Sequence, residues 1–343
     1  MTADLAAHAT QTIQAGSKSF AVAARLFAPE TRRSAVLLYA WCRYCDDVVD
    51  GQQLGFAQTD QAEQPGQNGP PEQDPETPGR RQRDLAELQQ ALDRAYAGNA
   101  MSNPAFAAFQ DVALRHRIPE RYPREHLAGF AMDVHDRHYE TLDDTLEYCY
   151  HVAGVVGVMM ALIMGVEDEP TLDRACDLGM AFQLTNIARD IVEDAGIGRC
   201  YLPAQWLREA DIPVTALADI RHRVALAGLA GRLVELAEPY YRSAQGGLAA
   251  LPLRSAWAIA TALGVYREIG VRVSARGAGA WDSRISTGKL DKLRLLVRGL
   301  GLAISSRGRT PLPRPDSLWQ RPRHQPRRHR CEAGHRAARA TDA

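Results

Sequence analysis

No stretch of this chain alternates polar and apolar residues long enough to read as a strand, and no glycine-rich strand–turn–helix fingerprint occurs. A dinucleotide-binding α/β domain is thereby excluded. Charge of one sign is missing as well: 41 basic residues balance 41 acidic ones, so no global bias draws the chain to nucleic acid. Cysteine is sparse, and Cys42 and Cys45 form a CxxC with no second pair. A zinc site needs more ligands than that. Two small buried residues a helical turn apart, in a reducing cytoplasmic compartment, is the simpler expectation. The segment from Met1 to Gly16 lacks the basic-then-apolar order of a secretion signal. The most apolar run, Val152 to Val166, falls short of the roughly 20 residues that span a bilayer. With Gly154, Gly157 and Gly165 inside it, this run reads as a buried helix. Its small residues face either something bulky or a closely packed neighbour.

What remains is helix. Hydrophobic content is 45% over 343 residues, ample for a buried core. Ser34 to Asp50 is an apolar-rich run without Gly or Pro, and Asp84 to Tyr96 carries apolar residues at helical spacing. Leu142 to Met164, Thr171 to Asp194, Val224 to Gln245 and Ser255 to Val273 are further long helix candidates. The fold class is all-α, a single domain over 1–304. Gly51 to Gly79 is dense in Gln, Gly, Pro and acids and predicts a mobile loop. From Ser305 the chain turns Arg- and Pro-rich, which predicts a disordered basic tail over 305–343. Such a tail is either an inert extension or drawn to anionic lipid headgroups.

Two acidic segments carry the chemistry. The first is Arg43-Tyr44-Cys45-Asp46-Asp47-Val48-Val49-Asp50. The second runs from Gln183 to Asp194. Residues four apart share a helix face. Asp46 and Asp50 therefore point one way with Tyr39 and Arg43, while Gln183, Asn186, Asp190 and Asp194 form a second stripe beside Arg189 and Glu193. Like charges at this spacing destabilise a helix unless a cation sits between them. Both helices are otherwise apolar, hence largely buried, which raises that cost. Mg²⁺ or Mn²⁺ is expected, because the ligands are oxygens and no His joins either set. Hard divalent cations of this kind are completed by substrate phosphates, so the two faces suggest a cage for a diphosphate. Loss of an allylic diphosphate leaves a carbocation, which needs a dry, aromatic-walled cavity. Phe20, Tyr39, Tyr148, Phe182 and Tyr266 are candidate wall residues.

These segments, with Ser17-Lys18-Ser19-Phe20, Tyr148 to Gly157, Leu178 to Asp194, Tyr201-Leu202-Pro203, Ala237 to Gly270 and Leu318 to Pro322, resemble the squalene/phytoene synthases over nearly the whole chain to about Arg323. The resemblance implies the all-α isoprenoid synthase fold. It implies head-to-head joining of two geranylgeranyl diphosphates through prephytoene diphosphate to phytoene, in carotenoid biosynthesis, with no redox cofactor. By position, Asp46, Asp50, Asn186, Asp190 and Asp194 would hold Mg²⁺, with Gln183 assisting. Arg43, Arg189 and Arg284 would hold diphosphates, helped by Ser17, Lys18 and Ser19; Arg199 and Tyr201 are weaker candidates. Tyr39, Tyr148 and Tyr266 would face the cationic intermediates. One helical turn after Phe20 stands Ala24, where relatives making the thirty-carbon product carry a bulky aromatic; a small residue there suits the longer tail. The implied partners are an isoprenoid diphosphate and, peripherally, a membrane. Nothing in the sequence fixes an oligomeric state.

Three other readings compete. Asp46 to Asp50 also fits the DDxxD of chain-elongating prenyl diphosphate synthases, but Asp190-Ile191-Val192-Glu193-Asp194 does not repeat it. A squalene or dehydrosqualene synthase would use farnesyl diphosphate, and product mass separates it. A non-catalytic helical assembly protein should have lost one acidic pair, and both are intact.

Overall fold

The computed structural model describes residues 23–50, 52–53, 56–57 and 79–323. Its helices are α1 (Pro29–Asp50), α2 (Arg80–Tyr96), α3 (Pro104–Arg115), α4 (Arg121–Val134), α5 (Leu142–Cys149), α6 (Val155–Ile163), α7 (Glu169–Gly196), α8 (Ala204–Glu209), α9 (Arg223–Gln245), α10 (Leu253–Arg276) and α11 (Lys289–Ser305). A π turn, Tyr150–Gly154, joins α5 to α6. An antiparallel pair of two-residue strands, β1 (Gln52–Gln53) and β2 (Phe56–Ala57), follows α1. It is the only departure from an all-α fold among the described residues.

Local chemistry explains where the helices begin. The Asn103 side chain accepts from Ala105 N and Phe106 N ahead of Pro104, starting α3. Thr141 and Asp144 form a reciprocal capping box on α5. The Asp168 side chain accepts from Thr171 N at 2.9 Å to start α7. α1 seats on α2, α3, α4 and α6, with Trp41 stacked on Phe109 at 4.2 Å. α7 packs against α6, α9 and α10. The two acidic helices thus share α6 as a neighbour while each belongs to its own side of the bundle.

Leu142–Ile163 is long and apolar enough to cross a membrane by length and composition, yet 61% of its most apolar window is buried inside the protein. Here it is a core element. Of the two readings of its glycines, close packing is the one observed. A Cβ on Gly157 would lie 2.3 Å from the Ala175 carbonyl oxygen, and one on Gly179 would lie 2.2 Å from that of Ala153. Only glycine lets α6 and α7 approach so closely.

The basic tail expected from Ser305 needs correcting. A short 3₁₀ turn, Ser306–Gly308, is followed by an extended strap that stays on the protein through Arg323. Leu318 is buried, Trp319 lies against Tyr150 with ring centres 4.7 Å apart, and its amide donates to the Tyr240 hydroxyl at 3.1 Å. Arg314 donates to both oxygens of Asp177 at 2.8 and 2.9 Å. Arg321 pairs with Asp173 and Glu169, and Arg323 with Asp173. The arginines that made the segment look like a free tail are the groups that fix it to acids on α7. Residues 324–343 and most of 51–78 lie outside the described residues, as do the expectations placed on them.

Candidate active site

The first stripe lies where its spacing predicted. Tyr39, Cys42, Arg43, Asp46 and Asp50 are half-buried on a helix whose intervening positions Trp41, Cys45 and Val49 are buried. Arg43 pairs with Asp46 at 3.0 Å and with Asp47 at 3.1 Å. On α7 the same pattern repeats. Phe182, Gln183, Asn186, Asp190 and Asp194 are half-buried between the buried Leu184, Ile187, Ala188 and Ile191. Arg189 donates through Nε to Asp190 at 2.7 Å. The π turn and α6 contribute a third, uncharged stripe of half-buried residues: Val152, Val156 and Met160.

Arg199 ties the two acidic stripes together, acting on Asp46 and on Asp194. Arg199, just beyond α7, reaches back to α1 and grips both oxygens of Asp50, one of them at 3.1 Å. Tyr266 of α10 stacks on Phe182 with ring centres 4.1 Å apart. Its phenol is close enough to Tyr39 that burial, with Tyr266 adding to it against Arg43, pushes the Tyr39 phenol up to about 12. The two phenols therefore lie near one another, and Tyr39 stays protonated at neutral pH.

The electrostatics are those of a site short of positive charge. Burial, reinforced by Asp50 and opposed by Arg43, pushes the Asp46 carboxyl up to about 7. Burial and Asp190, opposed by Arg199, do the same to Asp194. Asp46 nonetheless keeps 38% of its side-chain surface accessible. The amide nitrogen of Asn186 donates to Gln183 at 3.3 Å, while its buried oxygen has no hydrogen-bond partner among the described residues. An orphaned oxygen on the α7 stripe, and one carboxyl on each stripe that resists ionising, fit the donor set of a hard cation. Among the described residues no three His, Cys, Asp or Glu side chains gather into one cluster.

Other expected residues fall at the edges or outside. Arg284 is exposed and pairs with Glu193 at 2.8 Å, on the rim of the second stripe. Ala24 is buried within the core. Ser17, Lys18, Ser19 and Phe20 lie outside the described residues. Tyr148 is buried, stacked on Tyr201 with ring centres 4.4 Å apart, and donates to Asp133 at 3.2 Å. Tyr201 donates to the other oxygen of Asp133 at 3.1 Å.

Asp133, on α4, was not singled out from the sequence. Burial pushes its carboxyl up to about 6, with Arg199 and the Tyr201 hydrogen bond acting against the rise. Its neighbours His135, Asp136 and Arg137 give it the look of a surface residue. Arg199 and Tyr201, given less weight in the sequence, are central to this corner.

An all-helical bundle with two carboxylate stripes on separate helices, linked through Arg199 and accompanied by Tyr39, Phe182 and Tyr266, defines the class: a helical synthase of the isoprenoid type. A crystal structure of a dehydrosqualene synthase in complex with ligand superposes with a TM-score of 0.74 at 24% identity, covering 89% of this chain and 98% of that one. Residues 13–292 match the family model described as squalene/phytoene synthase, and the chain belongs to that family. It is 58% identical over 315 residues to the 15-cis-phytoene synthase of Pantoea ananas, spanning 92% of this chain and 97% of the relative. It is 35% identical over 288 residues to a phytoene synthase of Cereibacter sphaeroides, spanning 82% and 76%.

Proposed function

We propose that the protein is a phytoene synthase: it condenses two geranylgeranyl diphosphates head to head through prephytoene diphosphate to phytoene, releasing both diphosphates. The observation that carries this reading is the pair of intact acidic stripes, linked through Arg199 and accompanied by Tyr39, Phe182 and Tyr266. The high identity to relatives named phytoene synthases supports the choice of product.

Asp46 and Asp50 on one side, and Asp190, Asp194 and Asn186 on the other, would hold Mg²⁺ or Mn²⁺. When bound, the metal neutralises diphosphate charge and makes it a better leaving group. Arg43 and Arg189, each already paired with a carboxylate, are placed to turn toward diphosphate oxygens. The apolar stripe of Val152, Val156 and Met160 keeps water from the cation left behind. Tyr39, Phe182 and Tyr266 present ring faces to that cation. The final step is loss of a proton, so no reductant is needed.

Incubation with geranylgeranyl diphosphate and Mg²⁺, with products read by mass and ultraviolet spectrum, tests the reading. A forty-carbon hydrocarbon with a conjugated triene is expected. A product still bearing diphosphate, or turnover of farnesyl diphosphate alone, would overturn it.

A further inference from the structure

α11 is apolar on two opposite faces. Its inner face, Leu295, Gly299 and Ala303, is buried, with Gly299 pressed on Thr261 of α10. On the other side Leu290, Leu293, Val297 and Ile304 are exposed by 83, 60, 63 and 57%. At 3.6 residues per turn these four fall within an arc of about 60°, roughly opposite the buried face. A soluble helix with one core partner has no need of this second ridge.

Its borders are cationic. Lys289 flanks the ridge on one side, Arg294 and Arg298 on the other, and all three are exposed. The helix has a single carboxylate, Asp291, which is occupied by Arg272 at 2.7 Å and by the Gly288 amide. Glu268, which pairs with Arg294 at 3.3 Å, is mostly buried. Beyond the helix, Arg307 is anchored on the Ala249 and Leu251 carbonyls, and Leu312 is 82% exposed.

We propose that α11 docks the protein on a bilayer bearing anionic headgroups. The Leu290–Ile304 ridge lies among the upper acyl chains, and Lys289, Arg294 and Arg298 meet lipid phosphates. Charge selects this occupant over a second copy of the chain, since two copies meeting at this face would bring cationic borders together. The inference deepens the proposed reading: α11 packs on the back of α10, whose Tyr266 stacks on Phe182, so the docked face lies one helix from the lipid-handling site.

Cosedimentation of the full-length protein with phosphatidylcholine vesicles, with and without phosphatidylglycerol, tests it. No diphosphate is present, so the outcome is independent of the reaction. Binding is expected to favour the phosphatidylglycerol vesicles and to weaken with salt. Leu293→Glu/Val297→Glu should lower partitioning by about tenfold or more. Lys289→Glu/Arg298→Glu should remove the preference for phosphatidylglycerol. Both variants change exposed positions and should keep the wild-type circular dichroism and melting temperature. Unchanged vesicle binding in the Glu variants, or none by the wild type, would overturn the proposal. So would a fall in oligomeric mass caused by either variant, which would assign the ridge to a second copy.

Discussion

At the scale of single residues, Asp46 and Asp194 decide how the site responds to pH. Each carboxyl sits near 7 in the folded protein against an ordinary value of 3.8. The folded state therefore holds more protons than the unfolded chain between about pH 4 and 7, and stability falls as pH rises through that window. A cation bound between the carboxylates offsets the loss. Mg²⁺ should raise the melting temperature more at about pH 8 than at about pH 5.5, as calorimetry with and without chelator would show. Equal gains at both would remove these pairs as its site. Asp46→Asn or Asp194→Asn should lower phytoene formation at least about 100-fold with little loss of fold. Ala24→Phe addresses chain length: a shift toward farnesyl diphosphate in competition assays is expected, and an unchanged product ratio would dismiss the depth argument. The acid stripes were legible because i, i+4 spacing is a property of one helix. Asp133 was not, because its partners Tyr148, Tyr201 and Arg199 come from elsewhere in the chain and only tertiary folding brings them to α4.

At the scale of elements, the crossing of α6 and α7 is set by glycine. Gly179→Ala would force its new methyl onto the Ala153 carbonyl. A cost of about 1–3 kcal/mol is expected, visible as a lower melting temperature. Because α7 carries the second stripe, activity should fall further than stability alone accounts for. The long helices α7, α9 and α10 were evident from sustained apolar spacing without breakers. α3 and α4 escaped notice as short helices among Pro, His and charged residues. Their cores, Phe106, Phe109, Leu127 and Phe130, are defined by contact with α1 and α2 rather than by a clean period. α11 escaped for the opposite reason: apolar residues on two faces blur the amphipathic signal.

At the scale of the whole molecule, the strap after α11 is part of the folded structure. Arg321 and Asp173 are both buried, and removing one leaves the other with only its more exposed partner, Arg323 for Asp173 or Glu169 for Arg321. Arg321→Met should cost about 1–3 kcal/mol, and Arg321→Met/Asp173→Asn should recover part of that, measured by thermal or denaturant unfolding. Full stability in the single variant would make the strap a passive contact. Composition alone misled here, since Arg and Pro enrichment describes both a solvated tail and a segment tied down by buried acids.

That strap also sets an order on assembly. The buried Asp173 and Asp177 lie near the start of α7, yet the guanidinium groups that neutralise them, at 314 and 321, are made after every helix of the bundle. During synthesis the helices can gather as they emerge, N-terminal ones first. The two acids must then remain hydrated until the strap arrives. Closure of the strap over α7 is thus the step that turns a collapsed helical assembly into one with a settled interior.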